Sequence, residues 1–360
     1  MSGLDEVIAA ETRLSDVDGQ SGRLVIRGLE LAEVAGLPFE AVVGLMFEGL
    51  LQPEPPAGLA AALGAQRGAV FAEVTVLDGR LLALEPLDAV RALMARLADG
   101  DDLPTALRLT AALGVFVPAV IRARRGLEPI APDPEVGHAE DMLRMLKGRA
   151  PEPAETAALG AYLATVVDHG LNASTFAARV AASTGAGLVS AALAGISTLK
   201  GPLHGGAPGP VIRMLDEIGA PERAEPWLEA ALARGDRLMG FGHRIYRVRD
   251  PRADVLKAAV AGLSAQGAAG IERLRLGEAV EAAALRLLRR KRPERPLDTN
   301  VEFYTALLLE ALGFPAEAFT CVFAAGRVVG WIAHAREQAL SGRLIRPQSR
   351  YVGPEPRRAA

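Results

Sequence analysis

The chain has 360 residues, 50% of them hydrophobic and only 4% aromatic, with a formal net charge of -3 and one cysteine. Such a composition builds one large core or two packed ones and excludes a fibrous, repetitive or disordered chain. The near-neutral balance excludes a general basic footprint for nucleic acid, and Cys321 alone excludes an intrachain disulfide framework or a multi-cysteine metal site, in keeping with a reducing cytosol.

The opening MSGLDEVIAAETRL has neither a basic n-region nor an apolar h-region, and no later run of about 18 uncharged apolar residues suggests a membrane span, so a soluble cytoplasmic protein is expected. SDVDGQSGRLVIRG reads as a short β-hairpin with Asp18-Gly19 turn chemistry, the one β element in the chain. In PLDAVRALMARLADG, Val90, Leu93, Met94 and Leu97 repeat at helical spacing, with Asp88 expected as N-cap and Gly100 just past the end. AEDMLRMLKG and GEAVEAAALRLLRRK follow the same grammar, and alanine- and leucine-rich stretches such as ETAALGAYLATVVDHGLNASTFAARVAAS favour helix over strand. An all-α fold results. STGAGLVSAALAG reads as small residues permitting close helix packing, because Gly185-x-Gly187 follows no strand and lacks a third glycine in place. Proline and glycine are densest in KGPLHGGAPGP (200–210) and GFGHRIYRVRDP (240–251), loops of the kind that bring backbone close to a ligand. In NVEFY, Asn300 is the expected N-cap of an apolar helix and Glu302 an acid in its first turn.

Chemistry narrows to few residues. Of five histidines, His204 and His243 sit beside glycines, and His169 shares a helical neighbourhood with Asn172 and Ser174 or Thr175. Each also has a plain reading as a satisfied core or surface group. No HExxH, no close histidine pair and no second cysteine point to a metal. Arg252, Arg327 and Arg346 offer planar forks that, if they converge, suit a di- or tricarboxylate.

Taken together, AAETRLSDVDGQSGRLVIRG, VDHGLNASTFAARVAAST, GPLHGG, MGFGHRIYRVRDPR, NVEFY and FAAGRVVGWIAHAREQ with RLIRPQSRYVG resemble the citrate synthase family in order and spacing over nearly the whole chain. The resemblance implies an almost entirely helical fold with a large domain, 1–205 and 317–360, and a smaller inserted domain, 206–316, that closes over the substrates of a homodimer. It implies condensation of acetyl-CoA with oxaloacetate to citrate and CoA, the entry reaction of the tricarboxylic acid cycle, with the acyl-CoA as co-substrate and no permanently bound cofactor. By carry-over, His204 stabilises the enolate, Glu302 is the general base and His243 polarises the ketone. His169, Arg252 and Arg327 hold the oxaloacetate carboxylates, Arg346 reaches in from the partner subunit, and Arg247 and Arg295 lie near the CoA phosphates.

Three positions depart from the family pattern. Pro208 stands where the family has asparagine, Gly170 where it commonly has glutamate, and Glu302 where it has aspartate. The extra methylene at 302 lengthens the side chain by about 1.5 Å, and displacement by about 1 Å costs on the order of a hundredfold in rate. A 2-methylcitrate synthase using propionyl-CoA, the reverse citryl cleavage, and a non-catalytic paralogue with a binding or regulatory role are the alternatives.

Overall fold

Helices make up nearly all the regular structure of this computed structural model, which describes residues 7–55, 58–205, 208–264, 268–291, 293–294 and 297–354. The β element is slightly larger than a hairpin. Strand β1 (Ser15–Asp18) pairs antiparallel with β2 (Arg23–Ile26), Ser15 opposite Ile26, and a two-residue β3 (Leu29–Glu30) adds to β2. The connection is a four-residue loop and not an Asp-Gly turn. The Asp18 carboxylate accepts the N–H groups of Gln20 and Ser21 at 2.9 and 3.2 Å, closing its own turn, and the left-handed residue is Gly22.

The helix expected from Asp88 starts earlier, at Pro86, and runs to Met94. Proline fits the first helical position because its fixed φ suits the helix and its missing N–H has no partner there anyway. Asp88 therefore lies in the first turn and pairs with Arg91 and Lys200 at 3.1 and 2.6 Å. Val90, Leu93, Met94 and Leu97 are buried as their spacing predicts. His138–Lys147 is likewise helical and stops at a left-handed Gly148, and Pro208 does begin a helix, Pro208–Ile218.

Two helices, Leu103–Arg124 and the stretch from Ala316 to Ser341, are long and apolar enough to cross a bilayer, but 89% and 94% of their most apolar windows are buried inside the protein. They are core helices. Phe319–Ser341 is the central one, packed on Leu103–Arg124, Pro153–Thr165, Ala173–Ala182 and Leu188–Leu199. Two glycines permit this. A Cβ on Gly195 would stand 2.6 Å from the Trp331 ring, and one on Gly330 would stand 2.2 Å from the Val167 carbonyl. The second approach lays the backbone before His169 directly on the central helix. The helices Pro208–Ile218, Ala224–Arg234, Pro251–Ser264, Ala268–Lys291 and Val301–Ala311 pack on one another, with Pro251–Ser264 also resting on Pro153–Thr165.

Candidate active site

Asn300 caps the helix Val301–Ala311, its Oδ1 accepting the Glu302 N–H at 3.1 Å. Its other groups face the glycine-rich loop. Asn300 Nδ2 donates to the Gly242 carbonyl at 2.8 Å and its N–H to the Gly240 carbonyl at 3.0 Å, so one residue ties the His243 loop to the start of the Glu302 helix. Asp250 makes a second tie. It accepts the Val301 N–H at 3.2 Å and binds Arg252 through Nε at 3.0 Å and Nη2 at 2.8 Å.

Within that loop His243 Nδ1 faces the N–H groups of Ile245 and Tyr246, each at 3.1 Å, and must accept from them. The tautomer follows: the proton belongs on Nε2. Arg252 Nη2 lies 3.3 Å from that Nε2, so two donors converge on one space and suit a single acceptor oxygen. Burial, and then the charge of Arg252, lower the His243 pKa to about 4, which keeps the ring neutral at physiological pH.

His169 does not lie in a helix. Pro153–Thr165 ends before it and Ala173–Ala182, capped by Asn172, begins after it, with Gly170 left-handed between. The connection puts the buried His169 edge-on to His243, ring centroids 5.6 Å apart, with Nε2 3.0 Å from the Tyr246 hydroxyl. Burial, helped by Arg252 and Arg327, drives its pKa well below the usual value. His204 meets the helix Ala173–Ala182 through Ser174. Its Nε2 faces the Ser174 N–H at 3.3 Å and hydroxyl at 2.8 Å, which places the proton on Nδ1, a donor without a partner among the described residues. Burial and Arg327 lower its pKa to about 4.

Arg327 is buried in the central helix, stacked over Phe323 at 4.8 Å, with Nε donating to the Val166 carbonyl at 2.6 Å. Its Nη2 is fully buried and has no hydrogen-bond partner among the described residues. A buried guanidinium with an empty donor position is a site for an incoming anion. Burial lowers its pKa to about 10, with Asp168 opposing, so it stays charged.

Glu302 is half-buried and its carboxyl oxygens accept no hydrogen bond from the described residues. First-turn placement by itself favours ionisation, but burial outweighs it and raises the pKa to about 7, with Arg252 and Arg327 opposing and Asp250 adding to the rise. A pKa raised on folding stabilises the native state below the unfolded value, and that stabilisation is lost as pH rises through 7. Glu302→Gln, which is neutral throughout, should therefore match the native chain near pH 4 and exceed its stability by about 3 kcal/mol well above pH 7. Calorimetric unfolding of both proteins at the two pH values checks this.

Residues 3–348 match the family described as "Citrate synthase, C-terminal domain". The chain belongs to the citrate synthase family. It is 37% identical to a putative citrate synthase 2 of Mycobacterium tuberculosis, over 99% of this chain and 93% of that one. A 2-methylcitrate synthase of the same organism is 36% identical, over 99% and 91%. Among solved structures, the citrate synthase of Thermoplasma acidophilum in ternary complex with carboxymethyl coenzyme A and oxaloacetate superposes with a TM-score of 0.84 at 29% identity, covering 99% of this chain and 97% of that one. The protein is thus a citrate synthase-type condensing enzyme.

Of the residues that citrate synthase resemblance singled out, His169, His243, Arg252, Arg327 and Glu302 form one cluster, with His204 beside it through Ser174 and the charge of Arg327. Arg247 is exposed on the rim of the His243 loop, its N–H bound to the Gly19 carbonyl at 2.8 Å, and lines a cavity of about 150 Å³ with Tyr246, Glu294 and Asp298. Arg346 is exposed on the extended tail, and no hydrogen bond or ion pair joins it to this cluster among the described residues. Arg295 lies outside the described residues. No group of three or more His, Cys, Asp or Glu is arranged to hold a metal among the described residues.

Sequence reading missed Asp250, Asp168, Tyr246 and Glu281. Asp250 stands two positions before Arg252 in RDPR, a spacing that allows the local pairing, and Asp168 directly precedes His169. Glu281 left no such sign. It lies on the long helix Ala268–Lys291 and collects Arg249 at 2.8 Å, Thr299 at 2.7 Å, Lys257 at 3.0 Å and Tyr304 at 2.6 Å. Those four donors belong to the His243 loop, the helix after it, the approach to Asn300 and the Glu302 helix, so one carboxylate holds the parts of the site in register.

Proposed function

We propose that this enzyme condenses acetyl-CoA with oxaloacetate and releases citrate and CoA, with the cluster around Glu302 as its active site. Ionised Glu302 takes a proton from the acyl α-carbon while His204 Nδ1–H donates to the thioester oxygen, where negative charge develops. The α-carbon of the resulting enolate forms the new carbon-carbon bond to the oxaloacetate ketone. His243 Nε2–H, with Arg252 beside it, polarises the ketone oxygen and supplies the proton that makes it a hydroxyl. Arg327, Arg252 and His169 hold the oxaloacetate carboxylates. Water then cleaves the citryl thioester, adding hydroxyl to the acyl carbon and a proton to the CoA sulfur.

The observation that carries this reading is the meeting of a carboxylate poised near neutral pH with neutral, donor-fixed imidazoles and a buried arginine whose Nη2 is unpaired. The resemblance adds a small domain, 206–316, closing over the substrates, a homodimer in which Arg346 of a second subunit completes the carboxylate site, Arg247 and Arg295 toward CoA, and a cytoplasmic place in the tricarboxylic acid cycle. Free-thiol release tests the reaction. Mixed with oxaloacetate, acetyl-CoA should release thiol far above the level given by Glu302→Gln, with propionyl-CoA measured beside it to set acyl preference. High release by both proteins would remove Glu302 from the role of base, and no release by either above the rate without protein would sink the condensation.

A further inference from the structure

Asp168 is fully buried beside His169, and it and Arg327 attract each other: among charges acting on Arg327, Asp168 most strongly opposes the effect of burial. Yet no hydrogen bond joins them among the described residues. Both Asp168 oxygens are engaged elsewhere. Oδ2 accepts the Ser15 hydroxyl of β1 at 2.5 Å, and His334 Nε2 of the central helix lies 3.1 Å from Oδ1 and 3.3 Å from Oδ2. His334 is fixed in the matching tautomer, because its Nδ1 lies 2.9 Å from Arg179 Nη1, which can only donate, so the proton is on Nε2 and faces Asp168. Arg179 is itself held by Glu337 at 2.7 Å and Gln338 at 3.0 Å. Ser15 also accepts the Gly170 N–H at 3.0 Å, so the strand grips the connection on both sides of His169.

We propose that His334 and Ser15 are positioning residues that hold the Asp168 carboxylate off Arg327, so that the unpaired Nη2 of Arg327 stays available to a substrate carboxylate. This rests on the reading of Arg327 as an oxaloacetate ligand. A guanidinium and a carboxylate freed to turn toward each other form a strong paired contact, and here such a pair would occupy the substrate's place. The Asp168 charge opposes the effect of burial on Arg327, and its two donors keep that charge from becoming a bond.

The test is steady-state kinetics on the full-length enzyme with oxaloacetate varied. His334→Leu, similar in volume but without the donor, should raise the oxaloacetate KM by about ten- to a hundredfold, the cost of losing one charge-assisted contact, with kcat changed far less. His334→Gln, whose amide nitrogen can stand near the Nε2 position, should restore most of the affinity. The deciding variant is His334→Leu with Asp168→Asn, since removing the misdirected charge should lower the KM again relative to His334→Leu alone. A merely structural role for His334 predicts no such recovery, and an unrecovered double variant overturns the proposal. Should His334→Leu fail to fold, Ser15→Ala at the sheet edge carries the same test: a raised oxaloacetate KM supports the proposal and an unchanged one overturns it. Arg327→Gln is measured in parallel. An unchanged oxaloacetate KM there rejects the substrate reading itself, whereas a raised KM there with a normal His334→Leu rejects only the positioning role.

Discussion

Glu302→Gln is expected to lower thiol release from acetyl-CoA by about 10²- to 10⁴-fold, the range that a positioned general base contributes. Glutamine keeps the length and shape of the side chain and removes only the ability to take the proton, so oxaloacetate binding should be largely retained. The pH profile gives an independent check. Because burial raises Glu302 to about 7, kcat/KM of the native enzyme should rise about tenfold per pH unit below that value and level off above it. The imidazoles do not distort that limb, since burial holds His204 and His243 at about 4 and His169 also well below its usual value. Glu302→Asp withdraws the carboxyl by about one carbon-carbon bond and is expected to lose about a hundredfold. A gain in that variant would instead show that the glutamate is the misplaced length. Rates across pH for the three proteins distinguish these outcomes.

Glu281→Ala should destabilise the protein by about 3–5 kcal/mol at neutral pH, measured by urea unfolding. Glu281 is only 5% exposed, and its removal leaves Arg249, Lys257, Thr299 and Tyr304 without their shared acceptor. Breaking a buried charge network from one side costs more than the network contributes in net terms, because the remaining donors stay desolvated. Burial alone would raise the Glu281 pKa, but its donors, Tyr304 foremost, hold it down to about 2. A pKa depressed on folding stabilises the native state above the ordinary carboxylate value and loses that effect as pH falls toward 2. The two proteins should therefore differ most at neutral pH and converge in acid. Equal stability at pH 7 would remove Glu281 from the role of holding the His243 loop against the Glu302 helix.

Much of this protein could be read before its fold was seen, wherever the information is local. Helical spacing placed Val90, Leu93 and Met94 in the core, and Asn300 caps the helix it was expected to cap. The glycine-flanked histidines drew attention because they stand in loops, where backbone freedom is itself a local property. Local rules also misled where two of them competed. Asp88 is a good cap, but Pro86 two residues earlier is a better first helical residue, and Asp18 closes a turn with its own carboxylate where Asp-Gly would have made a tighter one.

By itself the sequence determined the helical class, the order of the motifs and the family to which they belong, since each of these depends on residues close together along the chain. Only the tertiary structure decided the chemistry of the site. It brings Glu302 from a helix start, Arg327 from a core helix and His169 from a connection more than a hundred residues away into a space where desolvation overrides the helix dipole and moves a carboxylate to about 7. It also keeps Asp168 beside Arg327 without a bond between them, through Ser15 and His334 at opposite ends of the chain. Burial and long-range contact set those properties, and neither is a property of any local stretch of sequence.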